Sequence, residues 1–153
     1  MNSDTTKIEQ TLAAYCHLVD RGSAEDVAAL FAQDALLLPK YDGDYRVEGR
    51  DEIREWYAFY HENFRAGVNH LKHLIHSISI KVDGSMAKGS CYLTAYLISK
   101  EDGIVYQAQG TYFDEFVQSG EDWLFQKREI NVEFITQCGQ PIESLEPLGF
   151  ENR

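Results

Sequence analysis

The spacing of apolar positions along this chain changes near residue 71. Before that point apolar residues recur at three- and four-residue steps, the signature of a helix face; after it they recur at every second position, as in a half-buried strand. Over residues 5–20, Ile8, Leu12, Tyr15 and Val19 form one stripe, and Gly22 stops the helix just past Asp20. Projected around the helix axis, Cys16 and Asp20 fall on the flank of that stripe, so Asp20 can look sideways into a cavity that the helix covers. Ser23 has the character of an N-cap, with Asp26 in the approximate capping-box place, and opens a short helix carrying Val27, Leu30 and Phe31. Residues 35–39 form a short apolar strand, residues 41–45 a turn, and a second short strand ends at Gly49. A third helix begins at Asp51 and carries Ile53, Trp56, Tyr57, Tyr60 and Phe64 at helical spacing. That aromatic stripe is first of all core; as a pocket wall it would suit flat ligands.

Four long strands follow, over residues 71–82, 86–99, 104–117 and 123–135, joined at Asp83-Gly84, Asp102-Gly103 and Ser119-Gly120-Glu121-Asp122. Strands of this length overshoot a flat sheet, so twist, bulges and curvature are expected. Residues 136–153, with Pro141, Pro147 and Gly149, form an irregular tail suited to capping a pocket or packing on a partner subunit. Helices followed by antiparallel strands is an α+β order. The expected architecture is a curved, mainly antiparallel sheet wrapped around about three N-terminal helices, with an apolar pocket between, in a single domain spanning 1–153 whose core is 5–135.

Composition narrows the function. The chain of 153 residues is 44% apolar and 25% charged, which fits a globular protein, and its net charge of −11 argues against nucleic acid. No apolar run approaches the ~18 residues of a membrane span. Residues 1–7 lack the apolar stretch of a secretory signal, so a cytoplasmic location is expected. Cys16, Cys91 and Cys138 are odd in number and without metal spacing, which fits reduced thiols. Cys16 is notable only because it lies one turn before Asp20.

The chemistry concentrates in the histidines. His70, His73 and His76 invite a metal-site reading, but side chains three apart on a strand point to opposite faces, so His73 and His76 cannot share an ion. The alternation of Ile75, Ile78, Ile80 and Val82 favours strand over helix, and no second ligand cluster occurs, so no metal and no cofactor are expected. If His73 faces inward, Leu71 and Ile75 do too. An imidazole whose tautomer is fixed by a carboxylate is a usable general base, and Asp20 is the candidate carboxylate. Along residues 123–134 the even positions form a largely apolar face that includes Arg128. A guanidinium in an apolar layer needs a partner, with Asp20, Asp114 and Glu115 as candidates.

Tyr15 and Asp20 on the first helix, His73 four residues before Ser77, the Gly110-Thr111-Tyr112-Phe113-Asp114-Glu115-Phe116 run and the segment from Trp123 to Arg128 together resemble the SnoaL-like group of the nuclear-transport-factor-2-like superfamily. The likeness covers about residues 5–135 and is strongest to the branch holding scytalone dehydratase and hexachlorocyclohexane dehydrochlorinase. It implies a cone whose sheet curls round a deep apolar pocket, with His73 as general base, Asp20 as the carboxylate that orients it, and Arg128 in the pocket, able to help a leaving anion. Strand parity and the resemblance together assign Tyr15, Phe64, Val68, Leu71, Leu93 and Tyr112 to the lining. The chain departs from scytalone dehydratase where a second histidine is expected, having Gln107 and Gln109 there, and its candidates for a carbonyl-polarising tyrosine, Tyr41 and Tyr45, match loosely. Scytalone is therefore not the expected substrate.

The resulting expectation is a cofactor-free lyase, a dehydratase or dehydrohalogenase, acting on a small hydrophobic cyclic molecule. Alternatives are an isomerase or cyclase using the same pair, a non-catalytic small subunit of a ring-hydroxylating dioxygenase, and a ligand-binding domain. Large residues assigned to the outer sheet face, Tyr92, Tyr96 and Ile98 on one parity and Trp123 and Phe125 on another, suggest a homodimer or homotrimer.

Overall fold

The structure is a computed structural model that describes residues 3–142 and 146–153. The first helix, α1 (Asp4–Arg21), begins where the Ser3 hydroxyl accepts the Thr6 backbone N–H. Asp4 and Arg21 complement the helix dipole at its two ends. Its buried face is Ile8, Leu12, Tyr15, Cys16 and Val19, the expected stripe plus the flanking cysteine. The chain turns away at Gly22, where a Cβ would stand 2.7 Å from the Leu18 side chain and 2.9 Å from its carbonyl oxygen. Helix α2 (Ala24–Ala28) is capped by Ser23 and is shorter than its apolar residues suggested. Phe31, expected on that helix, instead opens the strand β1 (Phe31–Pro39), where it is fully buried in the core. The hairpin strand β2 (Val47–Glu48) leads into α3 (Arg50–Asn63), and a single 3-10 turn (Arg65–Gly67) delivers the chain to the four long strands. These are β3 (Val68–Asp83), β4 (Met86–Ser99), β5 (Val105–Ser119) and β6 (Asp122–Gln137).

The six strands form one mixed, unclosed sheet in the order β2-β1-β6-β5-β4-β3, antiparallel except for the parallel pairing of β1 with β6. Helix α1 touches both β3, at the sheet's edge, and β6, three strands away, which requires the sheet to curl around it. The helices fill the concave side, and the base of the cone is closed by Ile8, Phe31, Ile53, Phe116, Trp123 and Phe125.

Bulges decide which side chains face inward. In β6, Glu115 pairs with Lys127 and Phe116 with Phe125, so Gln126 is an extra residue without a partner. One extra residue reverses strand parity. Trp123 and Phe125 therefore face the core ahead of the bulge, and Arg128 and Ile130 face it after. This corrects the assignment of Trp123 and Phe125 to the outer face: both are buried, and the Trp123 indole donates to Asp4 at 3.1 Å. Tyr92 and Tyr96 do stand exposed on the convex side, with Ile98 half-buried. β3 carries two further bulges, at His70 (φ 56°) and Ser77 (φ 54°), both non-glycine residues in the left-handed region. Between them Leu71, His73 and Ile75 point inward; beyond the second, Ile80 and Val82 do.

A further irregularity, at Gly110 opposite the β6 bulge near Glu133, admits no side chain: a Cβ there would lie 2.1 Å from the Asn131 carbonyl oxygen. Because that neighbour is backbone, Gly110→Ala is expected to destabilise the fold by about 2 kcal/mol or more, within the range for overpacking, read as a lowered denaturation midpoint at unchanged slope.

Candidate active site

Asp20, one residue before the end of α1, reaches across to β3 and holds His73 at two places. Its two carboxylate oxygens accept the His73 backbone N–H at 3.2 and 3.1 Å, and Oδ1 lies 2.6 Å from ring Nδ1. Both side chains are about nine-tenths buried, with 11% and 10% of their surface exposed. With the carboxylate as acceptor, Nδ1 carries the donated hydrogen and the free lone pair of the neutral ring sits on Nε2. The backbone contact matters as much as the ring contact: it fixes the strand segment between the two β3 bulges, and with it the aim of the imidazole. His76 points the other way, where its Nε2 lies 3.0 Å from the Thr94 hydroxyl, which in turn donates to Gln109 Oε1 at 3.1 Å. Gln107 and Gln109, which stand where scytalone dehydratase is expected to carry a second histidine, thus belong to the network on the convex face, with Gln107 donating to the Tyr96 hydroxyl.

His73 opens on a cavity of about 730 Å³ walled mainly by aromatic and aliphatic groups. Of the residues assigned to its lining from the sequence, Tyr15, Phe64, Leu71, Leu93 and Tyr112 line it. Val68 does not, because it precedes the His70 bulge and lies at the strand's first residue. The α3 stripe serves both purposes considered for it: Ile53 is core, whereas Trp56, Tyr57 and Tyr60 form cavity wall. Exposed Phe59, Phe134, Ile135 and Tyr41 ring the mouth.

Arg128 is placed differently from the expected pocket arginine. It is completely buried and is not among the residues lining the cavity. Its guanidinium makes two hydrogen bonds to Asp114, Nε to Oδ1 at 2.8 Å and Nη2 to Oδ2 at 3.2 Å. Its Cζ lies 4.2 Å from the Tyr15 ring centre, 3.6 Å from Tyr112 and 4.4 Å from Phe125, so the charge sits behind the aromatic wall. Its Nη1 has no partner among the described residues. Of the candidate partners, Asp114 is the one engaged.

Two hydroxyls that sequence reasoning did not connect meet in this wall. Tyr15 Oη and Tyr57 Oη are 2.5 Å apart, joining α1 to α3 across a separation of 42 residues. Nothing in either helix's own periodicity signals that pairing. Burial pushes Tyr15 up to about 12 despite the lowering influence of Arg128, and it likewise raises Tyr57, Tyr60 and Tyr112. All four therefore stay neutral in the folded protein at pH values where exposed tyrosine ionises. A folded pKa above the unfolded one contributes stability that is complete below the unfolded value, near 10, and is lost as pH rises towards about 12. The expected result is a denaturation midpoint that declines across that window, with tyrosinate absorbance from these rings appearing only on unfolding.

Comparisons with known proteins agree with this architecture. A family model described as a SnoaL-like domain matches residues 2–129. No curated protein matched the sequence. Among solved structures, a candidate scytalone dehydratase from Novosphingobium aromaticivorans DSM 12444 superposes with a TM-score of 0.76 at 22% identity, covering 94% of this chain and 95% of that one. A type 2 hexachlorocyclohexane dehydrochlorinase gives 0.75 at 15% identity, with 94% of each chain covered. A Nostoc punctiforme PCC 73102 protein of unknown function with a cystatin-like fold gives 0.70 at 21% identity, covering 85% and 91%. At these identities the likeness is one of fold.

Proposed function

The chain belongs to the SnoaL-like domain family, and on that premise we propose that it is a cofactor-free lyase acting on a small hydrophobic cyclic molecule. The observation that carries this reading is the Asp20–His73 contact inside an apolar cavity. His73 Nε2 takes a proton from a ring carbon, Asp20 stabilises the imidazolium that forms, and a hydroxyl or halide leaves from the neighbouring carbon. The surroundings suit that chemistry: a largely apolar pocket excludes water and strengthens the electrostatic tie between the pair. Arg128, set behind the Tyr15 and Tyr112 rings, acts on developing negative charge through the intervening wall rather than by contact.

Isomerisation shares the first proton transfer and differs in where the proton returns. A purely supporting subunit or ligand carrier gives no reason for a carboxylate to hold both the backbone and the ring of one cavity histidine. The test is a screen of cyclic β-hydroxy ketones and halogenated rings against the wild type, His73→Ala and Asp20→Asn. Turnover by the wild type that disappears in both variants supports the reading; turnover that persists in His73→Ala overturns it. The exposed Tyr92 and Tyr96 on the convex sheet face support association into a homodimer or homotrimer, measurable by sedimentation.

A further inference from the structure

The side chain of an aspartate is short, so the place of its carboxylate is set by the backbone that carries it. Asp20 is carried by the last turn of α1, where helices fray and the final carbonyls have no partner within the helix. A carboxylate there also meets the negative end of the helix dipole. The Gly22 N–H closes on the Leu18 carbonyl at 2.7 Å, and Arg65 takes carbonyls on both sides of Asp20. Its Nη1 donates to the Gly22 oxygen at 2.8 Å and to the Val19 oxygen at 3.4 Å. Arg65 is half-buried and forms no ion pair among the described residues. Arg21, the other cation at this helix end, instead meets His17 on the exposed side, at 3.2 Å. Arg65 also opens the 3-10 turn that feeds β3, the strand of His73. That turn is fastened to the end of β4, because the Lys100 backbone N–H donates to the Gly67 oxygen at 3.0 Å and Lys100 Nζ to the Ala66 oxygen at 2.8 Å. One guanidinium thus ties the helix end that carries the acid to the turn that begins the strand of the base.

We propose that Arg65 is a positioning residue for the Asp20–His73 pair, locking the last turn of α1 to the start of β3 so that carboxylate and imidazole meet already spaced. It does not line the cavity, so it acts through Asp20 and not on a substrate. Its effect on rate rests on the lyase reading above, whereas its hold on the pair does not. Without Arg65 the last turn frays, the dipole end beside Asp20 loses its inner cation, and one carboxylate no longer holds both the backbone and the ring of His73. Misplacing a reacting group by an ångström costs rate far more than it costs binding.

Proton NMR with labelled histidine reads the pair without any substrate. In the wild type the His73 Nδ1–H, donated to Asp20, is expected as a downfield resonance that exchanges slowly with water. Arg65→Met should exchange that proton about 10- to 100-fold faster, the scale of a hydrogen bond to a charged group. Arg65→Lys, which keeps a cation able to donate to the same carbonyls, should recover most of the protection. Arg50 is the control, since it too spends its guanidinium on a backbone oxygen, that of Phe31, at 2.9 and 2.6 Å at the base of the cone. Arg50→Met should lower the melting temperature and leave His73 exchange unchanged, all variants being compared where they are folded. Exchange in Arg65→Met equal to the wild type, or accelerated equally by Arg50→Met, overturns the proposal. With a substrate in hand, Arg65→Met should lower kcat by about 10- to 100-fold at little change in KM, and a raised KM at unchanged kcat overturns it as well. A substrate screen that fails while the exchange result holds counts against the lyase reading and supports the anchor. Arg65→Gln, with the same outcomes expected, takes the place of Arg65→Met should that variant not fold.

Discussion

Asp114→Ala is expected to cost about 3–5 kcal/mol of stability, the scale for removing one partner of a buried ion pair. Arg128 shows why the figure belongs at that scale. The guanidinium is fully enclosed, its Nη1 already lacks a partner among the described residues, and Asp114 takes both of its hydrogen bonds. Aromatic faces at 3.6 to 4.4 Å compensate part of the lost hydration but cannot replace a carboxylate. For a domain of this length the melting temperature should fall by roughly 6–20 °C, at 2–4 °C per kcal/mol. The double variant Arg128→Met with Asp114→Leu removes both charges and should recover most of that loss, because desolvation is then no longer owed by either side. If the double variant is as unstable as the single, packing around the site, not unpaired charge, sets the cost. Thermal melts of the three proteins decide between them.

His73→Ala is expected to lower kcat/KM by about 10²- to 10⁴-fold, the range for removing a positioned general base. Asp20→Asn is expected to cost nearly as much by a different route. An amide placed at 2.6 Å from Nδ1 presents an N–H to it, and the ring responds by moving its proton to Nε2. The lone pair then faces the wrong side, although the backbone N–H of His73 can still find an acceptor. The variant should therefore fold and bind ligand while losing rate, so that kcat falls and KM changes little. A variant that loses binding and rate together would indicate that Asp20 serves mainly to pin β3.

The path from sequence to this site was legible where a pattern is local. The α1 stripe ending beside Asp20 and the shared parity of Leu71, His73 and Ile75 could be read from the residues, though not which face of the sheet that parity takes, and the position of Asp20 on the flank of its helix followed from angular geometry alone. What could not be read were events of one residue. The Gln126 bulge turns Trp123 and Phe125 inward, and the His70 bulge leaves Val68 out of the lining. A bulge leaves little trace in composition, because the extra residue is an ordinary polar one. Phe31 was misplaced for a related reason, since two apolar residues after a short helix fit either a last turn or a first strand position. The Tyr15–Tyr57 contact is a long-range meeting of two helices, visible only once the sheet has curled around both.

The bulges at Ser77 and Gln126 have a consequence for how this protein can change. Each strand they interrupt is written in two phases, one governing the packed base and the other the ligand chamber. In β6, Trp123 and Phe125 belong to the first phase, and Ile130 and Val132 to the second. Val132 lines the chamber outside the core cluster, so substitutions there can reshape the chamber without disturbing the base, whereas Ile130 belongs to both. Deleting the single residue Gln126, by contrast, merges the phases and must turn one half of the strand inside out.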